Sequence, residues 1–322
     1  MNQPPNPAWP QQAAQPGCWW HPNRQTGLSC ARCERPACPD CLREAAVGFQ
    51  CTDCIQGARR QDRAQQKQYQ AAGLGQRTIA GVRPPKSVLV TPILFAVNVL
   101  VFLVTVVQAK SPMDNNVSSL FQWGELWLPA TLEGNEWWRV FTSGFLHYGL
   151  IHIAANMFSL WMVGRPLELV FGRARFVTLY FVAMLGGSAA NLLFDNLDSA
   201  PSVGASGALL GLIGAYGVIV IKERLNPTWL IINLVLNVYV TFQVPGISIF
   251  AHLGGFVLGG LATVALLYAP EKDKLRWQVV GIAVLVVAVI GLLVWRDAQF
   301  GQAACAFGSQ QGQQVYGCTP TG

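Results

Sequence analysis

The chain has 322 residues, 52% of them hydrophobic and only 12% charged, with a formal net charge of +6 at neutral pH. That length would hold two soluble domains, but so little charge is a membrane composition and excludes a wholly water-soluble chain. The positive charge does not mark a nucleic-acid binder, because the basic residues flank apolar runs instead of gathering on one soluble face, and no nucleic-acid partner is expected.

Residues 1–17 are rich in Pro, Gln and Asn and lack an apolar core, which predicts a disordered tail and no cleavable signal peptide. Residues 18–54 carry the pairs Cys18/His21, Cys30/Cys33, Cys38/Cys41 and Cys51/Cys54, each with two residues between the members. That gap lets both side chains of a pair turn toward one metal, so the segment predicts two structural zinc ions. Disulfides would use the same cysteines, but the flanking charges place the segment in the reducing cytosol, where thiols persist. If each metal takes two pairs, one site has three cysteines and a histidine and the other four cysteines. An interleaved pairing, first with third and second with fourth, resembles that of B-box fingers and is preferred on that ground, although spacing alone also admits a sequential one. With four protein ligands neither zinc has room for a catalytic water, so the module is structural or binds a cytosolic protein partner. Residues 55–87 form a basic, polar linker able to be helical, which ends at Pro84-Pro85 and is placed to touch anionic lipid heads.

Apolar runs long enough to span a bilayer lie near 88–108, 140–163, 174–194, 204–221, 227–243, 248–268 and 276–295, which gives seven spans within 88–295. Basic residues crowd the approach to the first span and follow the second (Arg165, Arg173, Arg175), fourth (Lys222, Arg224) and sixth (Lys272, Lys274, Arg276). The positive-inside rule therefore predicts a multi-pass cell-membrane protein with a cytoplasmic N-terminus and an external C-terminus. Residues 109–139 contain Trp123, Trp127, Trp137 and Trp138, which suits an external loop lying in the membrane interface. The tail 296–322 holds Cys305 and Cys318, candidates for an intrachain disulfide, with free thiols or an intermolecular bridge as the alternatives.

Polar groups in hydrocarbon are expensive, so those inside the spans draw attention. His152 and Asn156, four apart, share one helix face, and His147 lies five residues before His152, about a turn and a half nearer the outside. Two neutral donors on one face can stabilise a negative oxygen, and the same pair can equally be an interhelical clasp. Ser206 opens the fourth span among Gly204, Ala205, Gly207, Ala208, Gly211 and Gly214, while His252 opens the sixth ahead of Gly254, Gly255, Gly259 and Gly260. Two glycine-faced helices side by side could bring His252 within hydrogen-bond reach of Ser206, the minimum for an activated serine. No Asp or Glu lies at that depth, so a dyad is expected in place of a triad.

Taken in order, Glu136-Trp137-Trp138-Arg139, then His147, His152 and Asn156, then Gly164-Arg165-Pro166-Leu167-Glu168 with Gly172-Arg173, then Gly204-Ala205-Ser206-Gly207, then Ala251-His252-Leu253-Gly254-Gly255 resemble the rhomboid intramembrane serine proteases. The resemblance covers roughly 88–295 and implies an all-α polytopic fold: a six-helix rhomboid core plus a seventh C-terminal helix, preceded here by a small zinc-stabilised domain similar to B-box fingers. It implies Ser206 as nucleophile, His252 as general base and then acid, and an oxyanion hole from the Ser206 amide, His152 and Asn156. His147, Gly204 and Gly207 would support them, and Trp138, Arg139 and Glu168 would serve the fold. The substrates would be transmembrane proteins cut near the outer face, with no cofactor for the chemistry. Many members carry an aromatic four residues after the serine, where this chain has Leu210. A non-catalytic membrane chaperone or adaptor on the same scaffold is the second reading.

Overall fold

The computed structural model describes residues 15–46, 48–71, 77–132, 134–196, 199–243, 247–300, 303–310 and 313–320. Most of the expected disordered tail, residues 1–14, lies outside them; Gly17 joins the following module by a bridge to Gln25. The chain divides into two units, Met1–Gln76 and Arg77–Gly322.

In the first unit a short antiparallel pair, β1 (Leu42–Glu44) and β2 (Phe49–Cys51), sets Leu42 opposite Cys51 and runs into helix α1 (Thr52–Ala71). Its buried apolar residues are Cys18, Cys30, Ala37, Cys38, Cys41, Leu42 and Cys51. A core made mostly of cysteines is too small to hold a fold by burial alone and calls for a further staple.

The second unit opens with α2 (Val90–Ala109). Its buried residues Thr91, Leu94, Asn98, Phe102 and Thr105 recur every three or four positions, which places one stripe against the bundle. The opposite face leaves Leu100, Leu103 and Val107 exposed, as a lipid-facing surface requires. Glu168 clamps the start of α2: its carboxylate accepts from the amides of Leu89 (2.7 Å), Val90 (2.9 Å) and Thr91 (2.8 Å) and from the Thr91 hydroxyl (2.8 Å). Three of the orphan N–H groups of that helix end are thus satisfied by one side chain, with the charge at the favourable end of the helix dipole.

Between α2 and the next long helix lie short helices α3 (Ser119–Gly124), α4 (Leu128–Leu132) and α5 (Arg139–Thr142). Arg139 is buried and fastens this segment, donating from Nη1 to the carbonyls of Gln122 and Glu125 (2.8 Å each) and pairing with Glu136. Trp138 stacks on Trp123 with ring centroids 5.6 Å apart.

Among the described residues five helical runs are long and apolar enough to cross a membrane. One of them, Gly149–Phe194, has 46 residues. It comprises α6 (Gly149–Ser159), a π turn (Leu160–Gly164) and α7 (Arg165–Phe194), and it kinks at Gly172, whose φ of 72° leaves the helical region. Two of the expected spans therefore share this run. The others are α2, α8 (Ser206–Glu223), α10 (Ile249–Leu267) and α11 (Lys274–Phe300), with the shorter apolar helix α9 (Thr228–Gln243) between α8 and α10. The second span begins later than the hydropathy predicts: Leu146 and Tyr148 are extended and Gly149 has φ 72°, so the helix starts at Gly149 and not near 140. His147 consequently precedes the helix that carries His152, instead of lying on it.

α10 packs closely against both α7 and α8. Glycines make this possible. A Cβ on Gly259 would run into the backbone of Gly211, one on Gly255 into the carbonyl of Gly207, and one on Gly214 into that of Phe256. After α11, strands β3 (Ala303–Gln310) and β4 (Gln313–Pro320) form a hairpin whose register sets Cys305 opposite Cys318, two residues whose side chains lie outside the described ones.

Candidate active site and metal centres

Ser206 is the first residue of α8. Its amide therefore belongs to the turn of N–H groups without intrahelical partners, the positive end of the helix. The approach to it is tightly held. Gly204 has φ 122°, a conformation open to glycine, and a Cβ there would sit 2.8 Å from Cε1 and Nε2 of His152. Its amide donates to the Ser143 carbonyl at 2.9 Å. Further back, Leu126 and Ser202 exchange both backbone hydrogen bonds (3.0 and 2.9 Å), tying the α3–α4 segment to the loop that leads into the serine.

The neighbours of Ser206 and His252 are in backbone contact. A Cβ on Gly207 would lie 3.4 Å from the carbonyl oxygen of Ala251, and one on Gly187 would lie 2.8 Å from the same atom. Thus α8, α10 and α7 converge where the serine and the histidine stand. Among the described residues Nε2 of His252 is buried without a hydrogen-bond partner, while Nδ1 lies 2.7 Å from the Thr241 hydroxyl. Asn156 spends one side-chain N–H on the His152 carbonyl at 3.0 Å, the ordinary back-bond of a helix. His147 is fully buried, packs edge-on against His152 with centroids 5.2 Å apart, and its Nε2 accepts from the amide of Ala205 at 3.5 Å. His147 therefore touches the turn that presents Ser206.

A cavity of about 30 Å³ opens at this point, lined by Ser143, Ser188, Ser202, Ser206, Ser248 and His152 among others. Its hydroxyl-rich wall and volume suit an ordered water, which needs roughly 10–15 Å³ and two to four polar partners.

Sequence reasoning missed several residues that hold these groups. Asn115, fully buried, donates to the Thr105 hydroxyl and the His147 carbonyl (2.8 Å each) and accepts from the Gly149 amide at 3.0 Å. Asn191 donates to the hydroxyl of Ser248, which caps α10 by accepting from the Ala251 amide. A lone Asn in a loop gives no periodic signal, and a lone Ser before a helix signals a cap without naming its partner.

Residues 134–270 match the Rhomboid domain family. The chain carries a Rhomboid domain. It is 30% identical over 210 residues to the "Rhomboid protease GluP" of Bacillus subtilis (strain 168), covering 64% of this chain and 40% of that protein. It is 38% identical over 152 residues to RHOMBOID-like protein 5 of Arabidopsis thaliana, covering 44% of this chain and 47% of the relative. Another relative, 34% identical over 179 residues, is named "Inactive RHOMBOID-like protein 8", covering 52% of this chain and 49% of the relative. The chain thus spans about half or less of the length of these rhomboid relatives. Rhomboids are membrane-embedded, which accords with the apolar helices.

Ahead of the rhomboid domain the first unit gathers two clusters, Cys18, His21, Cys38 and Cys41, and Cys30, Cys33, Cys51 and Cys54. The grouping is the interleaved one. Each cluster can hold a metal ion, its ligand atoms lying within 4.8 Å of one another. A tetrahedral zinc with Zn–S near 2.3 Å sets its sulfurs about 3.8 Å apart. Cys33 and Cys51 are separated by 3.8 Å, and the three sulfurs around Nδ1 of His21 lie at 3.8, 3.5 and 3.4 Å. The Cys30 sulfur accepts from the Cys51 amide and the Cys51 sulfur from the Cys54 amide, which stabilises both as thiolates. Burial, then the neighbouring Cys38 and Cys18 thiols, push Cys41 up to about 12, so the three cysteines of this cluster would ionise together beside neutral His21 only with a cation among them.

Proposed function

We propose that the chain is an intramembrane serine endopeptidase acting through Ser206 and His252. The observation that supports this reading is the glycine contact of α8 and α10, in which Gly207 next to Ser206 meets the carbonyl of Ala251 next to His252, whose Nε2 has no hydrogen-bond partner among the described residues. In the first step Ser206 Oγ bonds to the scissile carbonyl carbon while His252 Nε2 takes the hydroxyl proton. The carbonyl oxygen becomes an oxyanion, met by the Ser206 amide, the positive end of α8 and the side chains of His152 and Asn156. Collapse breaks the C–N bond, and His252 returns the proton to the leaving amine. Water from the serine-lined cavity then gives a proton to His252 and bonds through its oxygen to the acyl carbon; the bond from that carbon to Ser206 Oγ breaks, His252 returns the proton to Oγ, and the carboxyl product leaves with the dyad restored. No metal or other cofactor enters these steps.

Substrates are transmembrane proteins entering from the bilayer. A membrane helix shields its peptide bonds by hydrogen bonding, so a segment that unwinds readily is the one cut. The positive-inside pattern puts the N-terminus and the module 18–54 in the cytoplasm, the C-terminus outside, and the cut near the outer face. The clusters hold two structural Zn²⁺, closed to water, and the module serves a cytosolic protein partner. The non-catalytic reading is favoured by one observation, the relative named inactive, and is distinguished by a serine-directed fluorophosphonate. The purified full chain in detergent is expected to label at Ser206 and Ser206→Ala to stay unlabelled; absence of labelling in the wild type would favour the adaptor.

A further inference from the structure

Thr241 on α9 stands between two acceptor-capable groups. Its Oγ1 lies 2.7 Å from the carbonyl oxygen of Asn237, one turn earlier, and 2.7 Å from Nδ1 of His252. A hydroxyl carries a single hydrogen, and a carbonyl oxygen only accepts. At that separation the hydrogen must lie between Thr241 and Asn237, since two bare oxygens would repel each other. The hydroxyl therefore meets His252 with a lone pair, and the imidazole must be the donor at Nδ1. A neutral imidazole with its proton on Nδ1 has its free lone pair on Nε2. Among the described residues Nε2 is buried and without a partner.

We propose that Thr241 is a positioning residue that fixes the tautomer and orientation of His252, the role a carboxylate plays in a serine triad. This inference rests on the Ser206–His252 chemistry proposed above. A neutral hydroxyl suits the place, because an unpaired carboxylate in the membrane would be far more expensive to bury. The device also survives the proton transfer: when Nε2 accepts the serine proton, Nδ1–H keeps donating to Thr241 and no second proton moves. Because Thr241 is tethered to its own helix by the Asn237 carbonyl, the position of α9 sets the direction in which the imidazole points. Without the hydroxyl, the other tautomer, with Nε2 protonated and useless as a base, becomes available.

The test compares full-length Thr241→Val, Thr241→Ser, Ser206→Ala and wild type in cleavage of a model transmembrane substrate, with kcat and KM measured separately and with fluorophosphonate labelling rate as a second readout. Thr241→Val, which keeps shape and loses the acceptor, is expected to lower kcat and the labelling rate on the order of tenfold, the worth of about one hydrogen bond, with KM within about twofold. Thr241→Ser, which keeps the hydroxyl, is expected to restore both. Wild-type kcat in Thr241→Val overturns the inference, as does an equal loss in Thr241→Ser, which would assign the effect to packing of the methyl group. If Thr241→Val fails to fold, Thr241→Ala, which also removes the hydroxyl, takes its place: a fall in kcat and labelling that Thr241→Ser does not share supports the inference, and wild-type kcat in it overturns the inference. If Ser206→Ala cleaves like wild type, the protease reading fails and Thr241 with it; if Ser206→Ala is inactive while Thr241→Val is unimpaired, the Thr241 inference alone fails.

Discussion

The amide of Gly149 donates to the side-chain oxygen of Asn115 at 3.0 Å, so a residue 34 positions earlier in the chain fixes the first turn of the helix that carries His152 and Asn156. The other end of the Asn115 amide holds the His147 carbonyl and the Thr105 hydroxyl on α2. The start of α6 is thereby referenced to α2 and not to its own preceding residues. Asn115→Ala leaves the buried Gly149 amide and His147 carbonyl unpaired, which costs about 1–3 kcal/mol for each unsatisfied group. Thermal unfolding in detergent should show a clear drop for Asn115→Ala, with Asn115→Asp intermediate because it keeps the acceptor for Gly149 and loses the donor.

Gly259 and Gly260 offer an internal control on the helix contact behind the site. A Cβ at Gly259 would meet the Gly211 backbone, whereas the nearest atom to a Cβ at Gly260 is 4.0 Å away. Gly259→Ala should lower stability by about 1–3 kcal/mol through forced separation of α8 and α10. Gly260→Ala should be neutral or slightly stabilising, by up to roughly 1 kcal/mol, from helix propensity. Equal effects of the two in thermal unfolding would contradict close backbone packing.

Burial pushes the Glu125 carboxyl from its ordinary 4.5 up to about 7, with Arg139 opposing the shift. The folded chain then holds this proton to higher pH than the unfolded chain does, so folding takes up a proton between about pH 4.5 and 7. Stability from this group is greatest at the low end of that window and falls as pH rises through 7. Unfolding temperatures measured from pH 5 to pH 8 should decline in wild type and decline less in Glu125→Gln.

The interleaved clusters make a countable prediction. Cys18 and Cys38 belong to one cluster, so Cys18→Ser with Cys38→Ser should reduce bound zinc from two ions per chain to one. In a sequential pairing the same two changes would strike both sites. Elemental analysis of purified protein with and without the substitutions separates these outcomes, and fluorophosphonate labelling of the membrane domain should persist in both.

Much of this architecture was legible because hydropathy and composition are local. The apolar runs located most helices within a few residues, the paired cysteines announced two clusters able to hold a metal, and the glycine stripes at 204–214 and 251–260 pointed to close helix contact. What failed was the beginning of α6: residues 140–148 are apolar enough to continue a span, and only the left-handed Gly149 with extended Leu146 and Tyr148 shows the break. The roles of Asn115 and Thr241 were illegible for a different reason. Their partners lie on other elements, at separations set by packing, so neither leaves a periodic mark in the sequence. Glu168 lies between these cases, readable as a motif residue but silent about the three amides it caps.

The central claim, hydrolysis at Ser206, is tested most directly by incubating purified wild type and Ser206→Ala with a model transmembrane substrate and following the processed fragment. The wild type should generate the fragment and the variant should not, while both show the same unfolding temperature. Equal processing by the two proteins would contradict the account and leave the rhomboid scaffold to a non-catalytic role.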